Sequence, residues 1–202
     1  MGKLELNKRI KRESLLDSAF SLFTSKGFYK TSISDIVEKS GIAKGTFYLY
    51  FKDKYDIRNK LISHKAGQLF DNAEKEMLKE GIHDLQDQII FICDNILNQL
   101  CENKSLLRFI AKNLSWGMFK NSLGNTNDDE VNFADIYNRI VTRDDCTINN
   151  PEIMLFMIIE LVSSTCYSSI LYNEPVPMDE LKPYIFDTIR DITKRHIETE
   201  HS

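Results

Sequence analysis

Glycine and proline are scarce, 8 and 4 in 202 residues. Such thin punctuation excludes a fold of many short strands joined by tight turns and favours long helices. The four cysteines, Cys93, Cys101, Cys146 and Cys166, include no CxxC or other metal-binding spacing. A chain of this size needs no bridges to fold, so reduced, mostly buried thiols in a cytoplasmic protein are expected. The four histidines form no H-x-x-x-H or triad-like pattern, and no glycine-rich phosphate loop exists. Enzymatic activity, a metal and a cofactor are therefore not expected. No charged segment followed by an apolar run opens the chain, so no signal peptide is expected. The apolar run 154–172 approaches the roughly 20 residues of a membrane span. It carries Glu160, Ser163, Ser164, Thr165, Ser168 and Ser169 and lacks a basic flank, which fits a buried helix of an oligomer better than a membrane partner.

Charge is unevenly distributed. The formal net charge is -4, yet residues 1–65 hold 14 Lys+Arg against 7 Asp+Glu, leaving the remainder strongly acidic. A basic head on an acidic body suits a chain with one end that meets a polyanion and another that must not.

Hydrophobic spacing is helical throughout. Leu16, Ala19, Phe20 and Phe23 fall at i, i+3, i+4 and i+7, predicting a first helix over 8–26 that ends at Gly27. Ser32 followed by Asp35 resembles a capping box and starts a short helix over 32–39, with Ile33, Ile36 and Val37 inward. A turn at 40–42 leads to a third short helix over 44–50. Asp53 and Asp56 cap a long fourth helix that ends near Gly81. Five more helices are predicted over 83–101, 105–120, 129–143, 151–172 and 178–197. The expectation is an all-α fold of about nine helices. Residues 1–52 would form a three-helix helix-turn-helix DNA-binding domain. Residues 53–202 would form a second, helical domain.

The stretch Gly41–Phe51, GIAKGTFYLYF, carries the functional signal. A helix, a glycine turn and a second short helix form a helix-turn-helix, whose second helix enters the DNA major groove. Phe47 and Phe51, at i and i+4, face inward. Tyr48 and Tyr50 project elsewhere, with hydroxyls free for phosphate oxygens. Lys44 reaches a base or phosphate, and Gly45 lets the backbone approach so that Thr46 touches base edges. Lys54 sits at a helix start that favours phosphate. Lys8, Arg9, Lys11 and Arg12 add groove contacts or remain solvated charge. Singly, each feature has an ordinary reading as connector, core or solvated surface; their combination points to DNA.

Residues 31–57, TSISDIVEKSGIAKGTFYLYFKDKYDI, resemble the DNA-binding signature of the tetracycline-repressor (TetR) family of bacterial transcriptional regulators. The sequence departs from that pattern at Val37 and Ser40, where Ala is usual, and at Ala43, where Ser is common. The resemblance implies DNA contacts from Thr31, Ser32, Lys44, Gly45, Thr46, Tyr48, Tyr50 and Lys54. Of these, Tyr48, Lys54 and Thr31 are expected at phosphates, and Lys44 and Thr46 at bases. It also implies a homodimer on a palindromic double-stranded operator, paired through the last two helices. A small hydrophobic or amphipathic effector is expected to release a repressor from DNA. An activator, or an architectural DNA-binding protein without effector, is the alternative. The expected effector lining is Phe91, Phe109, Trp116, Phe119, Phe133, Tyr137, Met157 and Tyr167, although tight core packing is the more usual role for any one of them.

Overall fold

A computed structural model describes residues 2–110, 138, 142 and 146–198. The chain divides into two compact units, Met1–His64 and Lys65–Ser202. Eight helices occur among the described residues: α1 (Lys3–Ser25), α2 (Ile33–Ser40), α3 (Lys44–Phe47), α4 (Lys54–Glu80), α5 (Leu85–Glu102), α6 (Lys104–Ile110), α7 (Pro151–Tyr172) and α8 (Met178–His196). Among the described residues the fold is all-α apart from one two-residue ladder, β1 (Thr147–Ile148) against β2 (Ile197–Glu198), antiparallel with Thr147 opposite Glu198.

In the first unit, α1 lies against α2, which in turn meets α3. Leu15, Leu16, Ala19, Ile36, Phe47, Phe51, Ile57 and Leu61 are buried. The α1 helix begins at Lys3, five residues before the expected start, because four of the five added residues, Lys3, Leu4, Glu5 and Leu6, have good helix propensity and continue an anchored helix. The α3 helix is shorter than expected. After Phe47 the N–H groups of Leu49 and Tyr50 bond three residues back, to Thr46 and Phe47, so the chain tightens out of α geometry. Asp53 caps α4 by accepting from the N–H groups of Tyr55 and Asp56, both at 2.8 Å. Asp56 reciprocates by accepting from Lys52 N–H at 2.8 Å.

In the second unit, α8 packs on α7 and α5. The Gln86 amide on α5 donates to Thr193 Oγ1 at 2.9 Å and to the Arg190 carbonyl at 3.1 Å on α8. An ion pair of 2.7 Å joins Lys182 on α8 to Asp94 on α5. The later part of α4 packs on α5 through Ala73, Met77 and Ile92, with Phe70, Phe91 and Ile96 beside them. The short ladder is tightened by Asn149, whose N–H donates to the His196 carbonyl at 2.7 Å and whose side chain donates to Glu198 at 2.7 Å. The four cysteines are free. Cys166 is buried and the other three are half-buried, against the mostly buried set expected. The α7 helix is long and apolar enough to cross a membrane by length and composition, with a third of that window buried.

Candidate nucleic-acid interface

The site is assembled from two turns and the short helix between them. Gly27, at φ +89°, ends α1 in a conformation that a side chain resists. Thr31 is only 1% exposed, and its hydroxyl donates to the Gly27 carbonyl at 2.8 Å. It therefore closes the turn instead of presenting an oxygen outward. Ser32 follows as the N-cap of α2. Its hydroxyl accepts from Asp35 N–H at 3.1 Å, while the Asp35 carboxylate accepts from Ser32 N–H at 2.7 Å, which completes the capping box. The Ser32 N–H is the main reason that the Asp35 carboxyl falls to about 2, with the Lys26 ammonium at 3.0 Å and the Ser32 hydroxyl adding to it.

The second turn sets the direction of α3. Gly41 adopts φ +68°, its N–H bonds the Glu38 carbonyl, and Ile42 N–H bonds that of Val37. These paired bonds close α2 in the manner of a Schellman motif. The Ala43 carbonyl then accepts from Thr46 and Phe47 N–H, at 2.9 and 3.2 Å, to begin α3. Four residues cannot sustain a helix unaided. Burial holds this one: Phe47 is inaccessible, and its ring lies 5.5 Å from that of Phe51.

The opposite face of α3 is open. Lys44, Gly45 and Tyr48 are exposed, Thr46 is half-buried, and the Tyr48 ring is braced edge-on against Phe47 at 5.4 Å. Tyr50 is half-buried, and its carbonyl accepts from Lys60 Nζ at 3.3 Å. Gly45 has no internal explanation. Its φ is not positive, and a Cβ placed there would meet nothing within 4 Å.

Lys54 stands at the start of α4, where its ammonium meets the α1–α2 turn. Its ammonium donates to the carbonyls of Phe28 at 3.1 Å and Thr31 at 3.0 Å, and it lies 4.5 Å from the centre of the Phe28 ring. Arg58 approaches the same ring at 4.8 Å. Together they strap the α1–α2 turn to the start of α4. Sequence reasoning also passed over Lys30, Lys39, Lys52 and Leu49, all exposed near the two turns. The basic count of the head was the available signal for the three lysines; Leu49, hidden between two tyrosines in an aromatic run, had none.

Four of the residues expected at an effector lie on α5, α6 and α7. Phe91 packs beside the α4–α5 cluster, Phe109 lies on α6, and Met157 and Tyr167 lie on α7 about 15 Å apart along the axis. Trp116, Phe119, Phe133 and Tyr137 lie outside the described residues.

A short helix fixed by buried aromatics, with an exposed polar face and an ordered glycine turn before it, defines a helix-turn-helix of the DNA-binding class. Residues 15–61 match the family described as bacterial regulatory proteins, tetR family. The fatty acid metabolism regulator protein of Bacillus subtilis (strain 168) is 36% identical over 74 residues, which cover 37% of this chain and 38% of that protein. The chain matches between about a third and a half of the length of the first curated relatives. The fold extends further. A TetR-family regulator structure from Syntrophomonas wolfei superposes with TM-score 0.63 at 20% identity, over 91% of this chain and 95% of that one. The regulator FadR of Bacillus subtilis, in complex with stearoyl-CoA, superposes with TM-score 0.54 at 16% identity, over 88% and 96% of the two chains.

Proposed function

We propose that the protein is a sequence-specific transcriptional regulator of the cytoplasm, a homodimeric repressor that leaves a palindromic operator when a small hydrophobic or amphipathic molecule binds. The reading rests foremost on Gly45, a residue that the fold does not require, at the centre of the exposed face of α3. Only something outside the molecule benefits from the missing side chain there, and a major-groove edge is the surface that a second helix of this motif meets. Lys44 and Thr46 then take bases, while Ser32, Tyr48 and Tyr50 take phosphates. Thr31 and Lys54 serve the same surface by fixing its turns. Residues 1–52 carry the DNA contacts, and residues 53–202 carry the effector and the second copy.

The α7 helix supports the homodimer. Ile153 and Phe156 remain 53% and 42% exposed, and Tyr172 on α7 and Tyr184 on α8 are exposed as well, an apolar surface suited to a second copy. Two heads about 34 Å apart would read a palindrome. Effector control needs little energy: a 100-fold loss of operator affinity corresponds to a coupling of about 2.7 kcal/mol. Stearoyl-CoA is the first effector to try, because the FadR structure holds it.

The test is selection of duplexes from a random pool at near-physiological salt, with wild type beside Tyr48→Ala. Enrichment of one palindrome by wild type, lost in the variant, is the expected result, and stearoyl-CoA then lowers affinity for that duplex. Salt-sensitive binding without enrichment would refute sequence reading and leave the architectural alternative.

A further inference from the structure

The cations of the first unit separate by what they touch. Lys26 pairs with Asp35, Lys54 with two carbonyls, Arg58 with Asn59 and the Phe28 ring, and Lys60 with Asp56. Lys8, Arg9 and Lys11 are instead exposed and have no ion-pair or hydrogen-bond partner among the described residues. They stand on the opening turns of α1, where every residue from Lys3 to Lys11 is exposed, about 13 Å of helix. Glu5 is the single acid in that stretch. Burial does not account for these turns, and their net charge is positive.

Their position is fixed by the middle of α1. The Ser14 hydroxyl donates to the Ser40 carbonyl at 3.4 Å, so α1 crosses the end of α2 at that point and its opening turns continue beyond it. An open groove of about 650 Å³ lies there, with Arg9, Ile10, Glu13, Ser14, Asp17 and Ser18 of α1 on one wall and Lys39 on the other. Lys39 is exposed and stands two residues before Gly41, whose turn launches α3. The free cations of α1 therefore share one end of the unit with the start of the recognition helix.

We infer that Lys3–Lys11 is an accessory DNA arm. Resting on the regulator reading above, it deepens that reading by extending the footprint. Lys8, Arg9 and Lys11, with Lys39 across the groove, bind backbone phosphates that flank the bases read by α3. The contacts carry no sequence information, because a phosphate chain offers the same oxygens at every step. They raise affinity for any duplex and strengthen its salt dependence.

The experiment measures full-length protein binding to the enriched duplex and to a 30-base-pair random duplex across a salt series. Wild type is compared with Lys8→Ala/Arg9→Ala/Lys11→Ala and with the charge-keeping Lys8→Arg/Arg9→Lys/Lys11→Arg, after circular dichroism confirms equal helix content. The alanine variant is expected to lose about 0.9 in the slope of log K against log salt for each phosphate contact, about 2.7 per protomer. Its preference for the enriched duplex over the random one is unchanged, and the charge-keeping variant behaves as wild type. An unchanged slope in the alanine variant, with wild type still selective, overturns the arm and leaves the regulator reading standing. Wild type that selects no duplex overturns that reading and the arm with it. Binding to anionic phosphatidylglycerol vesicles that is lost in the alanine variant, with the DNA slope unchanged, overturns the arm in favour of a membrane surface.

Discussion

Replacing Gly45 by alanine separates the needs of the fold from those of DNA. Gly45 is the second residue of α3, has no positive φ, and faces open space where a methyl would go. Alanine in a helix is favoured over glycine by about 1 kcal/mol in the interior and less near an end, so about 0.5 kcal/mol of added stability is expected. For a unit of this size that corresponds to about 2–4 °C in the unfolding of the helix-turn-helix. DNA affinity should move oppositely. A methyl pressed into a close-packed surface costs about 1–3 kcal/mol, or roughly 5- to 150-fold weaker binding. Thermal unfolding followed by near-ultraviolet circular dichroism measures the first effect, and fluorescence anisotropy with the enriched duplex measures the second. A less stable Gly45→Ala would mean that the fold requires the glycine after all. A more stable variant with wild-type affinity would remove Gly45 from the interface, and with it the main support for the proposed function.

Phe47→Ala should destabilise the first unit by about 3–5 kcal/mol. Hydrogen exchange at the amides of Thr46, Phe47, Leu49, Tyr50 and Phe51 would show it, with the amides of α5 as the unaffected comparison. Lys54→Met strips two carbonyls of a half-buried ammonium and should cost about 1–3 kcal/mol, read by denaturant unfolding; loss of duplex affinity with no loss of stability would return Lys54 to a phosphate. Asp35 titrates at about 2 in the folded state against 3.8 ordinarily, so its contribution is complete above pH about 4 and disappears as pH falls towards 2. In Asp35→Asn that part of the acid unfolding curve should be missing. Burial pushes the Cys166 thiol up to about 11 and the Cys93 thiol up to about 12. Both should resist iodoacetamide at pH 8 in the native protein and react on unfolding, with mass spectrometry locating the label.

The sequence alone determined whatever depends on near neighbours along the chain. The capping box joins residues three apart, Gly41 acts within its own turn, and Phe47 with Phe51 follows from one helical repeat. The family signature is of the same kind, since it lies in one continuous stretch. Tertiary structure decided the rest. Lys54 reaches carbonyls 23 and 26 residues away, and no local pattern predicts that partner. Thr31 is buried in the turn that Lys54 ties to α4, so the same residue type that caps or contacts phosphate elsewhere closes a loop here. Ser14 against Ser40 likewise sets where the free turns of α1 point. Side-chain oxygens and ammonium groups are assigned to solvent, DNA or the protein's own carbonyls only when distant segments meet, because the backbone acceptors that compete for them are supplied by those segments.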